Sequence, residues 1–326
     1  MKLIKPYFEI IEQKPDIKGL YKQVELCGRV AYKSEDKITE DSYKGFVDRM
    51  IKLNHGVVLE HGTVYLYRSC CCYDSEDNEF IRKYENNKYS NIKYIGSDDE
   101  NYNNFKDIYG NDGIGNQQYV VTTNLRVLVE NNWLDDLKYL CEPTKYHEKR
   151  ICVRFICDRG VSHEFVRHRV FSFLQESTRY CNYSKDKFNN EVTFIIPNWL
   201  DLTSSDDEIH IDGNEGEYCY SDDIYTSNFL YTLRYAERIY LDLIKQWDKK
   251  IPDKRYKSGF KNNPWTPQEA RAVLPNALKT ELIMTGFISD WEHFFKLRDA
   301  GSAHPQAQEL AKPLHEEFIR RNYVNE

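Results

Sequence analysis

Apolar and polar positions alternate along TVYLYRS (63–69), the period of a half-buried strand, and the pattern recurs in KRICVRFICDRG (149–160), which closes on a glycine. YVVTTNLRVLVEN (119–131) reads as a strand running into a helix, and ENNWLDDLKYLCEP (130–143) as a short amphipathic helix stopped by Pro143. SHEFVRHRVFSFL (162–174) reads as a helix with Ser162 as N-cap, and SNFLYTLRYAERIYLDLIKQW (227–247) as a long amphipathic one. Two further helices announce their starts. In TPQEARAVLP, Thr266 and Glu269 form a capping box with Pro267 at the first helical position; in SDWEHFFKLRDAG, Ser289 and Glu292 repeat it and Gly301 follows the end. The mixture predicts an α+β fold, a central, mostly antiparallel sheet flanked by helices, in one domain over residues 1–326.

Between Tyr73 and Gln118 the pattern lapses into Asn, Asp, Lys and Tyr with almost no apolar clustering, which predicts a surface insertion whose removal leaves the fold intact. A second acidic surface segment spans Asp201 to Asp223.

Composition narrows the class. With 326 residues the chain buries roughly three quarters of its unfolded surface, and 40% hydrophobic content with 30% charged residues fits a globular protein. No stretch approaches 18 apolar residues, and MKLIKPYFEIIEQKPDIKG carries charges where a secretory leader is apolar; the expectation is a cytoplasmic protein without a membrane segment. The nine cysteines form no CxxC pair and read as reduced, mostly buried thiols. A net charge of -7 argues against nucleic-acid binding, though not against a small anion held by a few arginines.

The densest chemistry lies in RHRVFSFLQESTR (167–179). On a helix, Arg167 and Arg169 would stand about 200° apart, so one phosphate is not gripped by both. His163 and His168, five residues apart, diverge by about 140° and do not make the zinc-protease pair. No GxSxG elbow accompanies Ser172 or Ser177, and neither a GxGxxG turn nor a Walker loop occurs. QESTR offers amide, hydroxyl and guanidinium groups suited to a polar heterocycle with a phosphate, or to satisfying its own turn. Arg298 shares a helical face with Trp291, Phe294 and Phe295, so its charge needs an anion: a structural carboxylate, or a ligand that develops negative charge. Arg271, among small and apolar residues, raises the same choice. His55, Glu60 and His61 in NHGVVLEH cluster before a strand without a third metal ligand, and no metal is expected.

Taken together, RHR followed after seven residues by Ser (Arg167, His168, Arg169 and Ser177), with RGVSHEFVRHR, STRYCNYSK, NHGVVLEH, EARAVLP and HFFKLR in the same order, resembles the flavin-dependent thymidylate synthases. The resemblance runs from about Gly19 to Pro313. It implies a homotetramer that binds FAD, dUMP, methylenetetrahydrofolate and NADPH and methylates dUMP reductively to dTMP, with a site assembled from several subunits. It implies that Arg298 activates dUMP, and that Glu164, Phe165, Val166, Arg167, Gln175, Glu176, Ser177, Thr178, Arg179 and Arg271 bind it, Ser177 as a binding group. His55, Val57, Arg167, His168, Arg169, Gln175 and His293 are the implied flavin contacts. Ala31 and Phe287 depart from the pattern, standing where relatives carry Ser and a flavin-binding Asn. The alternative is a nucleotide- or RNA-binding protein of the same fold without turnover.

Overall fold

The computed structural model describes residues 1–70, 74–96, 117–200, 202, 208–211, 223–245 and 264–325. In chain order the strands are β1 (Lys2–Ile4), β2 (Tyr7–Ile11), β3 (Thr63–Cys70), β4 (Asn91–Ile95), β5 (Gln117–Asn124), β6 (Arg150–Asp158), β7 (Ser172–Gln175), β8 (Thr193–Ile195), β9 (Glu208–His210) and β10 (Lys279–Phe287). The helices are α1 (Ile17–Tyr32), α2 (Ser42–Lys52), α3 (Gly56–Leu59), α4 (Ser75–Glu85), α5 (Leu125–Glu130), α6 (Arg159–Phe165), α7 (Ile224–Ile244), α8 (Pro267–Ala270), α9 (Ile288–Arg298) and α10 (Pro305–Arg320). No helix among the described residues is long and apolar enough to cross a membrane.

Among the described residues the expected single sheet is instead three. A four-stranded antiparallel sheet, β2-β6-β10-β7, lies at the centre, with antiparallel β3-β5-β4 and the smaller β8-β1-β9, whose β1 and β8 run parallel, beside it. Strand β6 shows why the central sheet divides the molecule. Ile151, Val153, Phe155 and Cys157 point to one side and enter a core with Trp291, Phe294 and Phe295 of α9 and Leu310, Leu314 and Phe318 of α10. Its alternate residues face the other way: Cys152 meets Cys27 and Val30 of α1, and Arg154 meets Glu281 of β10. A separate core, with Leu20, Val24, Phe46, Val64, Leu66 and Leu125, fills the N-terminal half.

Further sequence expectations fail here. Residues 74–96 are not a bare surface insertion: Asp74 caps α4 by accepting from Glu76 N at 2.8 Å, and α4 carries Phe80 and Tyr84 into the N-terminal core at 1% and 0% exposure. Two rings at i and i+4 suffice to dock a helix whose remaining positions are polar. Tyr73 and residues 97–116 lie outside the described residues, as does most of 201–223.

The helix expected over 162–174 is α6 alone, capped by Asp158, whose carboxylate accepts from Val161 N at 2.6 Å. It ends at Phe165, and β7 then pairs with β10 from Ser172↔Thr285 to Gln175↔Leu282. Pairing with a buried strand and burial of both Phe165 and Phe171 outweigh the helical propensity of the intervening residues. Gly286 permits this turn, because a Cβ there would stand 2.5 Å from the Phe171 ring. The 200° separation of Arg167 and Arg169 therefore does not apply: both lie in a turn between elements. The segment after Trp133 is a 3-10 helix, Leu134–Tyr139, rather than an α-helix. The Thr266–Glu269 capping box is present, whereas α9 starts two residues earlier than expected: Asp290 accepts from Phe287 N at 2.9 Å, displacing Ser289 and Glu292 from that role.

Candidate functional site

Arg298 is positioned by the aromatic core beneath it. Trp291, Phe294 and Phe295 bury one face of α9, with Phe294 edge-on to Phe165 at 5.0 Å and Trp291 edge-on to Phe171 at 4.6 Å. These rings lock the helix against both ends of the Arg167–Arg169 turn. From this footing Arg298 donates through Nη1 to Glu164 Oε2 (2.8 Å), through Nη2 to the Glu164 carbonyl (2.7 Å) and through Nε to His168 Nε2 (3.0 Å). A carboxylate partner therefore exists, and it is Glu164, itself a candidate ligand-binding residue. Three of the five guanidinium N–H groups are engaged and two remain.

His168 is buried and accepts at Nε2, so its proton sits on Nδ1 and the ring is neutral. Burial first, then the charges of Arg298 and His293, pull its pKa down to about 4. The exposed His293 ring lies 6.1 Å from it. Glu164 also faces a second cation, Arg167 Nη1 at 3.2 Å from Oε1, although Arg167 is 69% exposed. Arg169 is exposed, and its side chain makes no hydrogen bond or ion pair with any described residue. The turn thus joins Glu164, Arg167, His168, His293 and Arg298.

Other candidates lie elsewhere. The Phe165 ring is wholly inside the aromatic core and Val166 packs against its edge, so neither side chain is open to a ligand. The Gln175 amide donates to Ser162 Oγ (2.9 Å) and Thr280 Oγ1 (3.2 Å). Arg271 donates to Thr178 Oγ1 at 2.9 Å, and Arg179 is exposed beside Tyr180. His55 and Val57 stand exposed at the start of α3, over the N-terminal core.

The QESTR segment is fastened by a charge cluster that sequence reading missed. Glu176 N donates to the Glu281 carbonyl (2.8 Å) and Ser177 N to the Ala31 carbonyl (2.9 Å). Lys279 joins the Glu176 and Glu281 carboxylates, Lys33 reaches Glu281 at 2.6 Å, Arg154 Nε does so at 2.8 Å, and Tyr183 OH donates to Glu176 at 3.2 Å. Burial alone would push the Glu281 carboxyl up; Lys279, Lys33 and Arg154 outweigh it and hold the group at about 2. A cavity of about 310 Å³ opens beside Lys33, Glu176, Tyr183, Lys187 and Lys279. A larger opening of about 730 Å³ along α4 includes none of the candidate residues.

Fold and site define an α+β protein that presents a cationic turn, braced from beneath by an arginine–glutamate–histidine cluster, beside a segment of polar side chains. The chain belongs to the family described as thymidylate synthase complementing protein, whose model matches residues 148–321, more than half of its length. It is 27% identical over 170 residues to the flavin-dependent thymidylate synthase of Pyrococcus furiosus, covering 52% of this chain and 53% of that one. It is 29% identical over 154 residues to the protein of the same name from Mycobacterium avium, covering 47% and 50%. The chain spans about half the length of the curated relatives it matches. Among solved structures, the UMP/dUMP methylase PolB from Streptomyces cacaoi bound with 5-Br dUMP aligns over 98% of this chain and 93% of that one at 16% identity, with a TM-score of 0.38, too loose a likeness to bear on the site.

Proposed function

We propose that the chain is a flavin-dependent thymidylate synthase, methylating dUMP reductively to dTMP with methylenetetrahydrofolate as carbon donor and NADPH as reductant, in the cytoplasm. The observation that carries this reading is the union of the complete Arg167–His168–Arg169…Ser177 pattern with an Arg298 braced by Glu164 and His168.

The residues present suit a flavin nucleotide. Arg167, Arg169, His55 and His293 are exposed donors for an anionic diphosphate and a ring edge, while Val57 and Val170, at 48% and 64% exposure, offer apolar surface. FAD, when bound and reduced, supplies the hydride. The chain's own residues do the rest. The two unengaged N–H groups of Arg298 stabilise negative charge at N3 and O4 of the uracil, raising electron density at C5 so that the base attacks the one-carbon unit without a covalent enzyme adduct. Glu164 and His168 hold the guanidinium in one orientation, so little reorganisation accompanies the charge shift. Ser177 and Arg271 bind the nucleotide, Arg271 its phosphate, from a backbone already fixed at Glu176 and Ser177.

Among the described residues of a single chain, neither His55 nor Arg179 makes a hydrogen bond or ion pair with the Arg298 cluster, which supports a site assembled from several copies, in a homotetramer. The test is direct. The purified protein is expected to be yellow with an oxidised-flavin spectrum, and to release tritium from C5-labelled dUMP only when NADPH and methylenetetrahydrofolate are both supplied. Binding of dUMP without flavin uptake or tritium release would refute the enzyme and favour a nucleotide-binding protein.

A further inference from the structure

We propose that Cys27, His61 and Cys152 form a binding site for a thiolate-seeking d10 cation, Zn²⁺ or Cu⁺, at the seam between the N-terminal core and the central sheet. The three come from separate elements: Cys27 from α1, His61 from the turn after α3, and Cys152 from β6. All three are buried, and one ligand atom from each lies within 4.8 Å of the other two.

The distances suit coordination. The two Sγ atoms are 4.0 Å apart. Two sulfurs each about 2.3 Å from a common cation stand about 3.8 Å apart at a tetrahedral angle and about 4.0 Å apart at a trigonal one. A triangle with no side over 4.8 Å contains a point within about 2.8 Å of every corner, so an inward movement of well under 1 Å brings each atom to bonding distance.

The histidine supplies the second, independent observation. His61 is 0% exposed, and its Nε2 has no hydrogen-bond partner among the described residues. Its Nδ1 stands 2.8 Å from Thr285 Oγ1. A metal-bound imidazole is characteristically held through its other nitrogen by such a partner, which fixes the tautomer and leaves one lone pair for the metal. An orphaned buried nitrogen keeps an unrecovered desolvation penalty, and a cation removes it. Thr285 lies directly opposite Cys152 in the β10–β6 register, so the orienting hydroxyl and the ligand thiol arise from one cross-strand pair.

Thiolate and imidazole together select Zn²⁺ and Cu⁺ over the hard oxygen-seeking cations. Binding is balanced by release of the two thiol protons, with no change of oxidation state at sulfur. With Zn²⁺ the three ligands give a neutral unit and a fourth position for water; with Cu⁺ they complete a trigonal site. None of the three residues belongs to the Arg298 cluster, so this site and the proposed reaction stand or fall separately.

The experiment is metal analysis of the purified full-length chain after dialysis into metal-free buffer, measuring zinc and copper together. About one equivalent of either is expected, and which one identifies the cation. Cys152→Ala and Cys27→Ala should lower it at least about tenfold, whereas Cys157→Ala, an equally buried thiol on the opposite face of β6, should retain it. Wild-type chain refolded with CoCl₂ keeps the test independent of variant folding, because thiolate ligation gives a sulfur-to-cobalt charge-transfer band that saturates at one equivalent. Three results overturn the proposal: negligible zinc and copper together with no such band, equal metal content in the Cys152→Ala and Cys157→Ala proteins, or a Cys27–Cys152 disulfide in the untreated chain.

Discussion

Replacing Arg298 with alanine separates its structural role from the chemical role proposed for it. Structurally the side chain holds three hydrogen bonds, two of them to Glu164 and one to His168. The pair is only partly buried, at 15% and 27% side-chain exposure, so the loss sits near the low end of the range for charged hydrogen bonds, about 1.5–2 kcal/mol. His168 also loses its acceptor role and a neighbouring cation, so its pKa should rise from about 4 but stop short of its ordinary 6.5, because burial, the larger cause, remains. A folded, flavin-binding protein is therefore expected. Chemically, removing a preoriented charge from a developing anion costs roughly 10²–10³ in turnover, about 2.7–4 kcal/mol. The assays are urea denaturation, the flavin spectrum, an NMR titration of the His168 ring, and tritium release from C5-labelled dUMP. A variant that is folded, yellow and within a few-fold of wild-type turnover refutes the reasoning about Arg298. An Arg298→Lys protein should recover little, since a point charge cannot bridge Glu164 and His168 while still facing a base.

Phe80→Ala should destabilise the chain by about 3–5 kcal/mol, because the ring is fully enclosed in the N-terminal core; the denaturant midpoint measures it. For the same reason deletion of Glu76–Asn116 is expected to abolish cooperative unfolding, contrary to the reading of that stretch as dispensable, and circular dichroism on the truncated protein decides. Acid should weaken the fold in a defined window. Burial holds His147 and His168 at about 4, against an ordinary 6.5, so the unfolded chain binds protons that the folded chain refuses. Stability then rises with pH across that interval and falls as pH drops from about 6.5 towards 4, by up to about 3 kcal/mol per histidine. Urea midpoints that stay level between pH 6.5 and 4.5 would contradict it.

Legibility in the sequence followed the range of the interactions involved. Strands β3 and β6 showed as period-two patterns although both their faces are covered, and the Thr266 box showed because a cap is local chemistry. The helix expected through Arg167 failed because pairing of β7 with β10, more than 100 residues away, redirects the chain after Phe165. Helix α4 was concealed by composition, although Asp74 followed by Phe80 and Tyr84 at helical spacing was a usable signal. That Arg298 needs an anionic partner was legible from its aromatic face. Its partnership with Glu164 and His168 was not, since it needs α9 laid against the end of α6. The Lys33–Arg154–Lys279 cluster around Glu281 was invisible because alternating charges on a strand read as solvent-facing, when that face is in fact covered. Likewise no spacing rule relates positions 27, 61 and 152.

The family match begins at residue 148, and one large core draws its buried residues from 151 to 324 while another draws them from 20 to 128. A packing change in one is met first by its own neighbours, and it crosses to the other through the Cys27–Val30–Cys152–Ile283 contact and the polar links Lys33–Glu281, Ser177 N–Ala31 carbonyl and His61–Thr285. Divergence can accumulate in the first half of such a chain at little cost to the second wherever that seam is kept, and a foreign N-terminal half grafted onto the shared half would have to reproduce it.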